Sequence, residues 1–447
     1  MRRHLAIGSS DSQLRPALNL ARACAEPGDQ IIAVVHPSRN SVSRAQLKDL
    51  GVKGSVETRN YKAQARDALI SAVDVVYPVL AGSEMREFID ILHRHHDWSQ
   101  HKKRPLVVTG YGGIVYEKHL EGLMWRIGSD VIAVNSLADQ RLFAELGAKM
   151  GHSDLPLVAM GFNALQKEER IPLPPADTPV KNILFATQDI VPGNREERRY
   201  IAFKLAEYAA RFPDRKVIIK PRNRPGENSF HDEKHRFDDL LEEWSERIEL
   251  PPNLEIRYGP MDEVLAEVDT VLTISSTAVI EAIHLGKRGV VLGDLGVKEG
   301  FGNHYFCGSG LIASFADLFE DRLPVMNEDW YRDNVDAPGA NLGTLKQSIQ
   351  ELLHKQEQQG SPLPAPDLGY NQTSTPYLAD RWRKAEIPTW PLVPEETPLT
   401  VKPEPELPPA ETIAGVEVDK IERMIRKGRK LMRNPRRFFS DRHRHLS

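Results

Sequence analysis

The residues best suited to chemistry in this sequence are three consecutive hydroxyl side chains, Ser275, Ser276 and Thr277. An apolar run at 270–274 precedes them and predicts a buried strand, and the pattern of 277–285 predicts a helix. The start of a helix presents unpaired backbone N–H groups and the positive end of the helix dipole, so it attracts an anion. Serine and threonine are also ordinary helix-capping residues. The turn therefore predicts either a phosphate-binding site or a plain helix cap.

Two cations, Lys220 and Arg222, flank Pro221 at the end of another predicted strand, 216–220. Like charges so close repel each other unless an anion lies between them, and arginine can bind phosphate or carboxylate through two parallel hydrogen bonds. The alternative is a solvated loop whose cations pair with acids further along the chain. Glu281 adds a carboxylate one turn beyond Thr277, on the same face of the predicted helix.

Candidate residues in the first half of the chain also follow predicted strands. Asp11 comes after the first strand and predicts either a helix cap or a general base. A glycine-rich loop follows the strand 105–109, where it allows a ligand to approach the backbone closely or only relieves a tight turn. This loop consists of Gly110, Tyr111, Gly112 and Gly113. Glu117 follows it and is the second candidate base.

Short apolar runs alternate regularly with amphipathic segments along the chain. The runs are rich in Val, Ile and Leu and predict buried strands at 4–8, 30–35, 73–80, 105–109, 130–135 and 157–161, and again at 182–187, 216–220, 254–258, 270–274 and 289–293. The amphipathic segments predict helices at 14–25, 86–95, 139–146, 196–211, 238–248, 261–267 and 277–285. Continuous apolar strands that alternate with helices are typical of parallel sheets covered on both faces. The predicted fold class is α/β, with two Rossmann-like, doubly wound parallel-sheet domains.

The alternation pauses once, at a proline-containing stretch, which divides the 447 residues into two domains of ordinary size and a C-terminal extension. The predicted divisions are a first domain at 1–165, a linker at 166–180, a second domain at 181–355, a Pro-rich extended segment at 356–412 and a basic amphipathic tail at 413–447. Tyr377, Trp382 and Trp390 indicate that part of the Pro-rich segment docks, since free linkers seldom carry several aromatic residues.

The segment Lys420–Ser447 combines many lysines and arginines with apolar residues at helical spacing and the pair Phe438 and Phe439. Basic residues beside an apolar stripe suit the surface of an anionic membrane. A helix packed on the body of the protein, or a protein or polyanionic glycan partner, would also explain the pattern.

Composition excludes several classes of protein. A formal net charge of −4 predicts no nucleic-acid partner. Two cysteines give no disulfide framework and no metal pattern, and no H-E-x-x-H, P-loop, G-x-G-x-x-G or G-x-S-x-G motif occurs. We therefore expect no cofactor and no metal. The start of the sequence lacks the apolar stretch of a signal peptide, so we expect a cytoplasmic protein, peripheral on the inner face of the plasma membrane.

The strand that ends in Lys220-Pro221-Arg222 and the later stretch 254–292, with its Ser-Ser-Thr turn, resemble the nucleotide-binding domain of GT-B glycosyltransferases. The resemblance is to transferases of bacterial capsule and cell-envelope synthesis, among them an actinobacterial family. The chain departs from this group at Lys220, where the group often has a histidine.

The resemblance implies a metal-independent transferase that moves a sugar from a nucleotide-activated donor to an envelope glycan or a lipid-linked acceptor. It places the donor phosphate on Ser275, Ser276 and Thr277, and Glu281 near the donor's ribose or sugar. Lys220 and Arg222 would then share the phosphate, and the 110–113 loop would belong to the acceptor domain. A non-hydrolysing nucleotide-sugar epimerase, or a non-catalytic nucleotide- or glycan-binding protein of the same fold, remains an alternative.

Overall fold

A computed structural model gives the fold of the chain. It describes residues 1–37, 42, 44–52, 56–111, 113–115, 119–162, 169–175, 177–222, 224–225, 235–246, 249–372 and 374–376. The basic tail, as well as Tyr377, Trp382 and Trp390, lies outside the described residues.

The first half of the chain forms a seven-stranded parallel sheet. Its strands are β1 (Arg3–Gly8), β2 (Gln30–Val35), β3 (Glu57–Thr58), β4 (Val75–Val79), β5 (Leu106–Gly110), β6 (Val131–Val134) and β7 (Leu157–Ala159). The spatial order is β3-β2-β1-β4-β5-β6-β7. The order reverses beside β1, which pairs in parallel with both β2 and β4.

Helices cover both faces of this first sheet. They are α1 (Asp11–Cys24), α2 (Arg44–Asp49), α3 (Tyr61–Arg66), α4 (Gly82–His95), α5 (His119–Met124) and α6 (Leu137–Lys149). One core layer joins the sheet to α1, and the layer on the opposite face joins it to α3 and α4. The strands are consequently buried on both sides, which explains their continuous apolar sequences.

The second half forms a six-stranded parallel sheet. Its strands are β8 (Asn182–Ala186), β9 (Lys216–Lys220), β10 (Leu254–Ile256), β11 (Thr270–Thr273), β12 (Arg288–Leu292) and β13 (Ile312–Ala313). They lie in the order β10-β9-β8-β11-β12-β13, so β8 is central and the order reverses between β8 and β11.

The helices of the second half are α7 (Arg195–Arg211), α8 (Phe237–Ser245), α9 (Met261–Glu267), α10 (Ala278–His284), α11 (Phe315–Phe319), α12 (Glu328–Asn334) and α13 (Leu342–Gln359). Side chains of α7, α8 and α11 fill the core on one face of the sheet. Those of α9 and α10 fill the core on the other. Asparagine side chains cap three of these helices, because Asn194 accepts from the Glu196 N–H, Asn327 from the Asp329 N–H and Asn341 from the Thr344 N–H.

Helix α13 returns to the first sheet. Its side chains Leu345, Ile349 and Leu353 are buried in the same core layer as α1, although the sequence prediction places residues up to 355 in the second domain. The predicted boundary at 355 and 356 also falls inside this helix, which continues to Gln359. An apolar helix face shows that a helix is covered, but it does not show which sheet covers it.

The beginning of the Pro-rich segment is packed rather than loose. Leu363 is 6% exposed in the first core, and Ser374 is fully buried. The buried Arg86 side chain donates to the Leu368 carbonyl and lies 4.7 Å from the Tyr370 ring centroid. The described part of this segment therefore binds the first half through carbonyl groups as well as apolar side chains.

The predicted fold class is confirmed, because both sheets are parallel and covered by helices. Most predicted strands lie within one or two residues of the observed ones. Two strands of only two residues, β3 and β13, are absent from the prediction, as are the helices α2, α3, α5 and α11 to α13. No helix among the residues that the structure describes is long and apolar enough to cross a membrane.

Candidate functional site

The carboxyl edge of the second sheet carries the predicted hydroxyl turn at the point where the strand order reverses. Gln188 follows β8, and Ser275 follows the neighbouring strand β11. In open parallel sheets, ligands bind in the crevice outside the carboxyl ends of the strands at this position. The topology thus places Ser275, Ser276 and Thr277 where a ligand is expected.

Ser275 is occupied by contacts within the protein. Its backbone N–H donates to Gln188 Oε1 at 2.9 Å, and its hydroxyl donates to the Phe301 carbonyl at 2.5 Å. The Gln188 side-chain amide also donates to the Ser275 hydroxyl at 3.0 Å. Since Ser275 is only 3% exposed, it fixes the shape of the turn and offers little surface to a ligand.

Ser276 and Thr277 are half-buried and face outward from this fixed base. The Ser276 hydroxyl accepts from the Ala278 N–H at 3.3 Å, and the Ser276 N–H donates to the Thr273 hydroxyl at 3.1 Å. Thr277 begins α10 without a side-chain cap. The Ser276 hydroxyl therefore caps the first turn of α10, and the Thr277 hydroxyl makes no hydrogen bond within the described part of the chain. Phosphate binding at this turn stays a prediction.

Lys220 has the most informative environment in the site. It ends β9 opposite Ala186 and is 5% exposed. Among the described residues, its Nζ donates only to the Pro221 carbonyl, at 3.5 Å. No carboxylate of the described chain lies within ion-pair distance of it. Burial lowers the pKa of the Lys220 amine, and the neighbouring Arg222 lowers it further. A buried ammonium group without a counter-ion is costly, and an anionic ligand would remove that cost.

Thr187 adds an unused polar atom next to Lys220. It follows β8, and its N–H donates to the Lys220 carbonyl at 3.2 Å. Its hydroxyl is buried and has no hydrogen-bond partner among the described residues. Buried polar atoms are nearly always bonded, so an unused hydroxyl on the residue whose backbone bonds to Lys220 is a candidate contact for a ligand.

Arg222 and Glu281 differ in exposure. Arg222 is exposed, so it could reach an anion only from the outside of the site. Glu281 lies on α10, and burial raises the pKa of its carboxyl group, with Asp262 adding to the increase. A carboxyl group can form hydrogen bonds with the hydroxyls of a sugar or ribose.

The glycine loop of the first half touches the hydroxyl turn of the second. A Cβ atom placed on Gly113 would lie 3.5 Å from Thr277 Cγ2. Ile114 packs in one cluster with Val279 and Ile280 of α10, together with Phe162. The loop after β5 therefore packs against the turn after β11, so the carboxyl ends of these two strands lie where the two halves meet.

The other predicted loop residues are placed differently. Gly110 ends β5 and packs against Ala133, and Gly112 lies outside the described residues. Tyr111 points away from this contact, because its ring stacks on Phe143 at 5.2 Å and lies under the Arg126 guanidinium. Its hydroxyl is buried and has no bonded partner in the described chain. Gly113 is thus the described loop residue that reaches Thr277.

The side chains of the two predicted bases, Asp11 and Glu117, lie outside the described part of the structure. Asp11 begins α1, after the carboxyl end of β1, and its side chain lies outside what the structure describes. Glu117 lies outside the described residues altogether. No group of three metal-ligating side chains occurs in the described part of the chain.

The sequence interpretation gave no role to Gln188 or to the fully buried Arg198, which positions it. Arg198 reaches from α7 and donates to the carbonyls of Gln188, Asp189 and Pro192, each at 2.7 Å. The loop so held carries the Gln188 side chain to the Ser275 N–H. A polar residue directly after the first strand of a domain was the available signal, but its partner lies 87 residues away.

Two parallel α/β domains that meet at carboxyl ends of their strands define the GT-B class of fold. Residues 4–352 match the profile of the family described as "Putative glycosyltransferase (DUF6716)". This match spans most of the chain, and the chain belongs to that family.

Solved structures with a similar arrangement come from several proteins. The S. aureus MnaA–UDP co-structure is 12% identical over 87% of this chain and 98% of its own, with a TM-score of 0.47. The Thermobaculum terrenum O-GlcNAc transferase is 16% identical over 86% and 67%, with a TM-score of 0.38. The spinosyn rhamnosyltransferase SpnG is 12% identical over 85% and 100%, with a TM-score of 0.36. A search of curated protein sequences returns no match.

Proposed function

We propose that this member of the family transfers a sugar from a nucleotide-activated donor to a cell-envelope glycan or a lipid-linked acceptor. The observation that supports the proposal best is Lys220, a buried amine with no counter-ion in the described chain, together with the unused Thr187 hydroxyl. A phosphate of the donor would pair with Lys220 and accept from Thr187. Arg222 would approach the same phosphate from the solvent side.

The hydroxyl turn would complete the donor site. In this proposal Ser275 holds the turn in place, Ser276 and Thr277 line the donor phosphates, and Glu281 meets the ribose or the sugar. The leaving phosphate gains negative charge as the bond to the sugar breaks, and Lys220 would stabilise that charge without a metal ion. Closure of the cleft between Gly113 and Thr277 would exclude water and limit hydrolysis of the donor.

The acceptor would bind on the first domain, whose carboxyl edge would face the donor. A base there must take the proton of the acceptor hydroxyl if the reaction inverts configuration, and the sequence nominates Asp11 and Glu117. The segment 420–447 would hold the enzyme at the inner face of an anionic membrane, where lipid-linked acceptors lie. Flotation of the full chain with anionic vesicles, lost when 420–447 is removed, tests this part; flotation that persists contradicts it.

A panel of UDP-, GDP-, CMP- and CDP-linked sugars tests the donor site. The matching donor should raise the melting temperature, because it binds the folded state, and it should slowly release its nucleotide. An epimerised donor would identify an epimerase instead, and binding without turnover would identify a binding protein.

Lys220→Met should weaken donor binding about 10- to 100-fold, since a hydrogen bond to a charged group is lost. Lys216→Met is the matched control, because Lys216 lies on the same strand and pairs with Glu255 at 3.2 Å. Unchanged donor affinity in Lys220→Met would show that the phosphate binds elsewhere.

A further inference from the structure

The carboxyl edge of the first sheet carries a second group of titratable side chains at its own point of strand reversal. His36 directly follows β2, and its N–H donates to the Gly8 carbonyl at the end of β1. Glu84 lies in the first turn of α4, which follows β4. Because β1 and β4 are the two strands between which the order reverses, this is the crevice where a ligand of the first domain is expected.

His36 is buried, and Glu84, which lies near it, is accessible to solvent. His36 Nε2 lies 3.7 Å from Glu84 Oε1, and the Glu84 side chain is 31% exposed. His36 is 7% exposed and packs edge-on against the Tyr61 ring, with ring centroids 5.0 Å apart. The buried imidazole thus lies at ion-pair distance, beyond hydrogen-bond distance, from one oxygen of a carboxylate that solvent can reach.

The imidazole is incompletely bonded. His36 Nδ1 is buried and has no hydrogen-bond partner in the described part of the chain. A histidine used only to stabilise the fold normally has both ring nitrogens bonded, and buried polar atoms without partners concentrate at functional sites.

Glu87, one turn further along α4, provides the contrast. Its carboxylate accepts from the Tyr61 hydroxyl at 2.6 Å and pairs with Lys62 Nζ at 2.6 Å. Glu87 is therefore fully engaged within the protein. Glu84 has His36 as its ion-pair partner, and its second oxygen makes no hydrogen bond to any residue that the structure describes.

Glu84 lies at the start of α4, which follows the strand next to β5. Strand β4 pairs with β5, whose loop reaches Thr277 of the second domain through Gly113. Neighbouring strands lie about 4.8 Å apart, so the start of α4 is one strand away from the point where the two domains touch.

We propose that Glu84 is the general base that activates the acceptor hydroxyl and that His36 positions it. This assignment rests on the proposed glycosyl transfer. The acceptor's O–H proton passes to the free Glu84 oxygen while the acceptor oxygen forms a bond to the anomeric carbon. The bond from that carbon to the donor phosphate breaks, and its electron pair leaves with the phosphate oxygen, near Lys220.

Release of nucleotide from the matching donor, with water as the acceptor, tests the base with the full chain. Glu84→Gln should lower kcat for release by roughly 100-fold or more, because general-base catalysis contributes about 10²- to 10⁴-fold. The rise in melting temperature produced by the donor should stay unchanged. Glu87→Gln is the matched control and should keep kcat within about two-fold, whatever its melting temperature.

Substitutions of His36 test positioning separately from folding. His36→Leu removes the imidazole beside Glu84 and should lower kcat without raising KM for the nucleotide-sugar donor. His36→Gln keeps an N–H near the position of Nε2 and should restore part of kcat. Equal loss in both variants, with equal melting temperatures, would show that His36 does not act through Glu84.

The outcomes separate this assignment from the function on which it rests. If the unaltered chain releases nucleotide from no donor, the proposed transferase activity fails and the assignment fails with it. If the unaltered chain releases nucleotide and Glu84→Gln does so equally fast, the assignment alone is wrong. Loss of release in Asp11→Asn or Glu117→Gln, with full release in Glu84→Gln, would place the base on those residues instead.

Discussion

Two buried arginines of the first half and the buried Lys220 of the second half differ in their partners. In the first half, Arg104 is 1% exposed and its two terminal nitrogens bind both oxygens of Asp130, at 2.8 and 2.6 Å. Arg86 binds Asp90 in the same two-pronged way. In the second half, Lys220 is buried almost as deeply and has no carboxylate partner in the described chain. The paired arginines stabilise the fold, whereas a ligand role for Lys220, which has no carboxylate partner among the described residues, stays a proposal.

Arg104→Met should lower the free energy of unfolding strongly. The substitution leaves Asp130 buried without its partner and also removes the donors to the Leu363 and Pro364 carbonyls. Breaking a buried pair costs about 3–5 kcal/mol, so the free energy of unfolding should fall by that amount in urea titrations. Arg141→Met, which breaks the exposed pair with Asp333, is the control and should change it by less than about 1 kcal/mol.

Lys220→Met, in contrast, should not lower stability. Methionine fills similar space without a buried charge, so the free energy of unfolding without donor should stay within about 1 kcal/mol of the original or rise. The same urea titration measures it. A loss as large as that of Arg104→Met would mean that Lys220 has a structural partner, and the contrast between the two halves would then disappear.

Glu281 is a half-buried carboxyl group, and its substitution should change stability least of the three. Burial raises its pKa in the folded state, so the folded protein binds more protons than the unfolded chain does. Stability from this group is therefore greatest below its ordinary pKa and is lost as pH rises towards the raised value.

Glu281→Gln removes the pH dependence of stability that arises from this carboxyl group. The free energy of unfolding of the variant, relative to the original chain, should increase between about pH 4 and about pH 7. Denaturant titrations at the two pH values measure the difference. A constant difference would indicate that Glu281 is compensated in the folded protein, as Asp130 is by Arg104.

Much of the fold could be predicted because each sheet strand is covered on both faces and therefore reads as a short apolar run. Strands of two residues, such as β3 and β13, are too short to leave such a pattern. The destination of α13 could not be predicted either. Leu345, Ile349 and Leu353 show that this helix has an apolar face, but only the folded structure shows that the first sheet covers it.

The candidate site could be predicted to the extent that it depends on topology. Parallel strands bring their carboxyl ends to one edge, so Lys220 and the hydroxyl turn were expected to lie together. The internal role of Ser275, as opposed to the more accessible Ser276 and Thr277, was not predictable. It depends on Gln188 and Phe301, which come from other loops. The pair of His36 and Glu84 was missed for the same reason, since the two residues lie far apart in sequence.

The return of α13 and the segment after it to the first sheet has a consequence for synthesis of the chain. Leu345, Ile349, Leu353 and Leu363 belong to the same core as residues of β1 and α1, the first elements to be made. The amino-terminal half therefore cannot complete its core when its own strands have been translated. It must wait until the whole second domain has been synthesised, so a ribosome that stalls within the second domain would hold a first domain with an open apolar face.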